Sequence, residues 1–378
     1  MSNDKKPVNA AAELRERLIQ HVYFLKGRRG KQLELRDENF ERMIIENIPF
    51  DRSIIMGCSF ALSNFSGSTF RNAQLSSTEF SHCKLTSCDF SNAQMKGVKV
   101  SFSEADHTRL QNLDAQAASV MTYSGEAGDK TPTGIGRVMT DFSNSNFQGA
   151  DLTGAILRGA ALREVNFKGA VVKNADLRDV DLSGACLVGA DFTGANVKDA
   201  QLNNAVFSLD ESTRAIFAEN AAFQKFERHT RSVQKMLDSH EEWTNSKGAR
   251  GLQASFKGRE ILGLDLAGRN LAAIDFSDCT IRGADFSGAI LAAANFRDAK
   301  ISYSKFDKVD ARGVYLERAE FTFCSLVGAD FSDLHVAGQD YKLQAVVKQA
   351  SFTRCNLETA LRSSWSWKAA SSGLTFSN

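Results

Sequence analysis

The chain has 378 residues, 43% hydrophobic and 24% charged, with a formal net charge of +1 at pH 7. That balance excludes a global field able to steer or imitate a polyanion, and the 3 prolines give no sign of long disordered segments. No run reaches the roughly 18 apolar residues of a membrane span, and the opening MSNDKKPVNAAAELRERL lacks the apolar core of a secretory signal.

Taken in chain order, residues 1–34 carry a helix pattern, AAELRERLIQHVYFL, and predict an N-terminal helical cap. It ends in the densest basic spot, Lys26, Arg28, Arg29 and Lys31, interleaved with Gly27 and Gly30. Glycines beside cations can hold phosphate through backbone amides and Arg forks. Lys31 is not followed by Ser or Thr, and the Gly spacing is not that of a P-loop. The plainer expectation is a tight turn feeding the next element.

From residue 35 to 110 a large apolar residue returns every fifth position, from Leu35 to Met95 and more weakly through Val100 and Leu110. Two places before these centres sit small residues such as Cys58, Ser63, Ser68 and Ala73. Residues 111–140 break the run. Their middle, SGEAGDKTPTGIG, predicts a flexible inserted surface loop, inert or a binding finger. Residues 141–210 resume with fourteen repeats, Phe142 to Phe207, preceded two places earlier by Thr140, Ser145, Ala150 and so on to Ala205. A helix buries positions three and four apart and a strand every second one, so a period of five fits neither. It suits a coil with four flat sides, one pentapeptide per side, centres inward and small residues near the corners. One coil cannot bury its own centres, but a stack can, at about 1.5–3 kcal/mol per side chain before entropy.

GADLTGA, GADFTGA and RGADFSGAIL resemble the consensus of the pentapeptide-repeat proteins. The resemblance covers about 270 residues. It implies an all-β solenoid: a right-handed quadrilateral pentapeptide-repeat β-helix with helical caps and one internal loop. The regularity of the repeats resembles bacterial members. Some members resemble DNA in shape and charge and bind type II topoisomerases; others serve unrelated roles.

Residues 211–255 predict a helical linker and second cap, with a helix over AAFQKFERHTRSVQKMLDSHEEW that bends or breaks near Thr230. His240, Trp243, Gly248 and Gly251 repeat His21, Phe24, Gly27 and Gly30, so one unit opens two separate lobes, about 11–210 and 221–361. Run three spans 256–361, from Phe256 to Val336, and slips by one residue after GQDYK before resuming at Val347. After both caps the small-residue rule fails alike, at Leu33, Glu38, Met43 and Ile48 and again at Arg259, Leu264 and Arg269. Either the opening coil is wider or these side chains turn outward against the preceding helix. The tail, 362–378, holds Trp365 and Trp367 and predicts an aromatic lid, a partner-binding segment or a dimer contact.

Reactive residue types fall on repeat positions rather than into clusters. Cys58, Cys83, Cys88, Cys279, Cys324 and Cys355 take the small inward position, and only Cys186 does not. They read as packing thiols in a reducing compartment. None of the six His forms a metal motif, and Asp151, Asp181 and Asp191, each just before a centre, are outward groups that can satisfy corner amides or meet water. No catalytic residue, cofactor or metal is expected, and the protein is not expected to be an enzyme. The expectation is a cytoplasmic, non-catalytic scaffold or adaptor that binds one or more proteins. A homodimer through the tail or a solenoid end is an alternative contact, and the charge balance argues against nucleic acid as a partner. Two other readings stand beside it: a DNA-mimicking regulator of a type II topoisomerase, and a phosphate-ligand sensor at the cap-to-coil junctions using Arg28, Arg29, Arg259 and Arg269.

Overall fold

A computed structural model of the protein describes residues 10–124, 131–335, 341–362 and 375–377. Its repeating step is twenty residues: Asn39 bridges Ser59, Ser59 bridges Glu79 and Glu79 bridges Lys99, all parallel. Four pentapeptides therefore close one coil. The Phe60 N–H donates to the Glu79 carbonyl at 2.8 Å and the Glu79 N–H donates to the Cys58 carbonyl at 2.8 Å, so each side is bonded to the coil beyond it. The chain is a quadrilateral β-helix in which the backbone satisfies itself through its neighbours in the stack.

Local chemistry explains the consensus. The second residue after each centre turns the corner with positive φ, as at Asn72, Asn92 and Asn112 (56°, 59° and 53°), which favours Gly and Asn there. The Asp before a centre accepts from the N–H two residues on, as Asp151 does from Thr153 and Asp191 from Thr193, each at 3.0 Å. Inward Ser, Thr and Cys donate to the carbonyl of an earlier centre: Ser68 to Ile45 at 2.8 Å and Cys88 to Phe65 at 3.0 Å. At these positions a polar group enters the core without being orphaned, whereas the buried Ser53 hydroxyl has no hydrogen-bond partner.

The chain divides into two compact units, Met1–Ala205 with Leu209–Ala218, and Val206–Ser208 with Glu219–Asn378. The first opens on α1 (Ala10–Leu25), followed by β1 (Glu34–Arg36) paired in parallel with β2 (Ile54–Met56). Run one does not fade at Leu110. Ala115 is fully buried as a centre, and Asp114 bridges Ile156. The expected flexible loop is corrected by an antiparallel ribbon, β3 (Ala118–Ser124) against β4 (Thr131–Val138), with Ala118 facing Val138 and Ser124 facing Thr131. The Val, Met, Tyr and Ile that its two arms contain favour a strand more than the Gly-rich tip suggests. Steps across it are 42 residues instead of 20. The 22 extra residues are four pentapeptides plus two, which is the frame shift seen between runs one and two. At the end of this unit α2 (Glu211–Phe217) is capped by Asp210, and Phe217 meets Phe192 edge-on at 5.2 Å. Val197, a centre in sequence, is only half-buried there, where the described ladder stops.

Excising 118–139 should therefore rejoin the coil in frame, with Thr140, which already accepts from Gly97 N–H at 2.9 Å and donates to the Gln116 carbonyl at 2.8 Å, in the small inward position. The expected melting temperature lies within a few degrees of the parent, about the range of a 1 kcal/mol change. A drop well beyond that range in circular dichroism melts would show that the ribbon supports the coils.

The second unit opens on α3 (Ala221–Asn245), capped by Asn220 and unbroken at Thr230, contrary to the expected bend. Thr230 is buried within it, and no proline or glycine interrupts the helix. Phe207 packs edge-on against Phe223 and Phe226 at 5.2 and 5.4 Å. A parallel sheet follows: β5 (Glu260–Leu262), β6 (Thr280–Arg282), β7 (Lys300–Ser302) and β8 (Glu320–Thr322). Beyond β9 (Asp330–Phe331), β10 (Leu334–His335) pairs antiparallel with β11 (Lys342–Leu343). This excursion lengthens the step to 31 residues, as from Cys324 to Cys355, and accounts for the one-residue slip. The sheet continues through β12 (Ser351–Thr353), while β13 (Leu361–Arg362) pairs with β9 and β14 (Thr375–Ser377) with β12. Part of the tail thus adds a strand to the last coil. Trp365 and Trp367 lie outside the described residues.

Candidate binding surfaces

The cap-to-coil junctions are built twice by the same means. In the first unit His21 is fully buried on α1, and its Nδ1 accepts the Leu33 N–H at 2.9 Å. In the second, His240 on α3 accepts the Ala254 N–H at 3.1 Å, and its Nε2 bonds the Ala272 carbonyl at 3.2 Å. Burial lowers the pKa of both rings; the Asp51 backbone and carboxylate oppose this at His21, and the Ala272 carbonyl opposes it at His240. The glycines follow from the same contact. A Cβ on Gly30 would lie 2.3 Å from the Gln20 carbonyl oxygen, and one on Gly251 would lie 2.2 Å from that of Ser239.

The oversized residues of the opening coils dock the helices. Glu38 pairs with Arg17 of α1 at 2.8 Å. Arg269 reaches Asp238 at 2.7 Å and Glu241 at 2.8 Å on α3, with only 13% of its side chain exposed. Arg259 is exposed, and its Nη1 lies 3.7 Å from the Met236 sulfur. The expected phosphate set is therefore not equivalent at the two ends. Arg269 is already neutralised by two carboxylates, which corrects its place in a phosphate-sensing junction. Lys26, Arg28, Arg29 and Lys31 are exposed and make no ion pair among the described residues. A concavity of about 640 Å³ beside them is lined by Glu16, Arg17, Gln20, Phe24 and Lys31, so it carries both charge signs.

Three surface features escaped the sequence reading. The ribbon and the residue after it expose Ile135 (76%), Val138 and Met139. A corner of the first unit stacks His82 on Phe102 at 5.1 Å. A corner of the second stacks Arg282, Tyr303, Phe323 and Arg354, with the rings 5.5 Å apart and the guanidinium groups 5.9 and 5.1 Å from the outer faces. The signal was there: Phe102 follows His82, and Phe323 follows Tyr303, by twenty residues, both in corner positions that favour Gly or Asn. Among the described residues no group of three or more His, Cys, Asp or Glu is placed to hold a metal ion, and no helix is long and apolar enough to cross a membrane.

Pentapeptide repeats match the chain in eight copies, over 63–101, 140–179, 173–208, 263–298 and 294–333. The chain belongs to the pentapeptide-repeat family. Comparison with curated proteins finds no match. Among solved structures it is similar to a trypsin-treated variant of QnrB1, a plasmid-mediated fluoroquinolone resistance protein (19% identity, 52% of this chain and 98% of that one, TM-score 0.31). HetL of the cyanobacterium Nostoc sp. strain PCC 7120, involved in heterocyst differentiation regulation, is 14% identical over 90% of this chain and 92% of its own (TM-score 0.25). A pentapeptide repeat protein of the Arabidopsis thaliana thylakoid lumen is 28% identical over 27% of this chain and 70% of its own (TM-score 0.20). Likenesses of this size carry no argument about activity.

The expectation that nucleic acid is no partner is withdrawn. It rested on a whole-chain charge sum, a formal +1 over 378 residues. Such a sum does not describe any one face. Asp151 and Asp191 occupy one column of this solenoid, with the uncharged Val171 between them.

Proposed function

We propose that the protein is a regulator that acts by binding a macromolecular partner, with the β3–β4 ribbon as its principal contact. The ribbon carries this reading. The coil ladder continues across it, from Asp114 to Ile156, and the ribbon keeps Ile135 76% exposed. An apolar side chain left in water on an insertion outside the coil ladder is placed to be buried by a partner. Affinity purification from the native cell, with intact protein and with the 118–139 deletion, tests it. A stoichiometric partner held by the intact protein and lost from the folded deletion supports the ribbon; equal recovery overturns it.

A second reading, a coil face standing in for DNA on a type II topoisomerase, has its own observation. The carboxylates just before the centres are held by hydrogen bonds and stay ionised. Bonds from Thr193 hold Asp191 at about 2. Burial pushes Asp151 and Asp181 up, but bonds from Thr153 and Ser183 more than offset it and leave both below the ordinary range. Lys173 on Asp191 at 3.1 Å weakens the case by neutralising part of that column, and Asp181 stands in a different column, with Asp141 and Ala161, where Arg163 pairs with it. The expected result is inhibition of supercoiling by micromolar protein, relieved when Asp151 and Asp191, which share one column, become Asn. Undiminished supercoiling at that concentration removes the reading.

A further inference from the structure

Cys324 and Cys355 are the pair of cysteines that the ladder stacks directly on one another. Ser325 bridges Asn356, so the residues just before them occupy the same position on consecutive coils. The other cysteines stack on different residues: Cys83 lies against Ser103, whose hydroxyl accepts the Cys83 N–H at 2.9 Å. The stacking is visible in the bonds. The Cys324 N–H donates to the Cys355 sulfur at 3.4 Å, and the two thiols donate to the carbonyls of Thr322 and Thr353, each at 3.4 Å. Strand neighbours lie about 4.8 Å apart, inside the roughly 4.4–6.8 Å Cα separation that a disulfide requires. The pair also differs in access. Cys324 is buried, whereas Cys355 is half-buried and the most open of the seven.

We propose that Cys324 and Cys355 form a redox-active dithiol, oxidised by a peroxide to a disulfide that staples the last coils across the β10–β11 excursion. Hydrogen bonding from Cys324 lowers the pKa of Cys355 and favours its thiolate, while burial raises that of Cys324. The Cys355 thiolate attacks one peroxide oxygen; an S–O bond forms, the O–O bond breaks, and the departing hydroxide takes a proton to become water. The Cys324 sulfur then attacks the sulfenic sulfur. An S–S bond forms, the S–O bond breaks, and the leaving hydroxide takes the Cys324 proton as a second water. Two thiols lose two electrons and the peroxide gains them.

Peptide mapping of the full-length protein tests this without any variant. Trypsin sites at Arg318, Lys342, Arg354 and Arg362 place the two cysteines on different peptides. After treatment with one equivalent of hydrogen peroxide, mass spectrometry should show a loss of about 2 Da. It should also show a crosslink joining the peptide that holds Cys324 to the one that holds Cys355, reversed by dithiothreitol. Before oxidation, Cys355 should be the first thiol alkylated by iodoacetamide. Cys355→Ser should abolish the crosslink, and Cys58→Ser should leave it intact. Sulfinic acid on Cys355 beside a free Cys324, a crosslink to another cysteine, or seven unreacted thiols would each overturn the proposal.

Discussion

Phe70→Ala lowers the stability of the first unit by about 3–5 kcal/mol. Phe70 is fully buried and stacks on Phe50 and Phe90, both at 4.7 Å, while Phe65 and Phe80 meet its edge at 5.6 and 5.9 Å. The loss combines transfer of the ring, the aromatic contacts at about 0.5–1.5 kcal/mol each, and a cavity. The cavity decides the size. Neighbouring rings are carried on backbone bonded to the coils above and below, so they cannot close the gap without breaking that ladder. Because each coil contacts only its neighbours, the damage is local but propagates to the interfaces on either side. Urea unfolding followed by circular dichroism reads it, with Phe102→Ala as the control. Phe102 is 44% exposed on a corner, and its loss should cost no more than about 1 kcal/mol. A Phe70→Ala loss below about 1 kcal/mol would mean that the coil collapses around the gap.

The same rigidity explains what was legible in the sequence. Every fifth residue has to enter the core, so Phe50, Phe70 and Phe90 announce themselves in the letters, as do the small corner residues beside them. The duplicated His and Gly of the caps were also readable, because one geometric demand recurs: a helix end touching the first coil at Gly30 and again at Gly251. The ribbon was not. The periodic pattern simply stops, and the Gly-rich tip outweighed the strand-forming residues that β3 and β4 contribute. The docking role of Glu38 and Arg269 was half readable. Their size excluded the tight corner, but the carboxylates that claim Arg269 come from a helix turn about thirty residues away. Outward surfaces are the least legible, because the fold constrains outward positions only weakly. Only a comparison of residues twenty apart reveals stacks such as His82 on Phe102.

Both caps should loosen from their coils as the solution becomes mildly acidic. His21 and His240 are fully buried and neutral, each with Nδ1 committed as the acceptor of a backbone N–H from the first coil. Their pKa values are lowered on folding, so the unfolded chain binds the proton more readily. Stability is therefore fully present above the unfolded His value of about 6.5 and is lost as pH falls from there through the folded values. Protonation at Nδ1 also removes the acceptor and turns it into a second donor facing a donor. Arg52 near His21 and Arg269 near His240 add to the penalty for a charged ring, whereas Asp51 and Glu241 reduce it. The lowered carboxylates contribute in a different window, below about pH 4, because their unfolded values lie there. Between pH 7.5 and 5.5 the slope in stability should accordingly belong to the histidines. His240→Ala should cost about 1–3 kcal/mol at pH 7.5 for the orphaned Ala254 N–H, and more for the lost contact with Trp243, whose ring lies 5.6 Å away. The decisive comparison is urea unfolding at the two pH values for the parent and for a His21→Ala/His240→Ala variant. The variant should be less stable at both, yet nearly flat between them. A slope that persists would place the titration elsewhere and leave the two rings as packing alone.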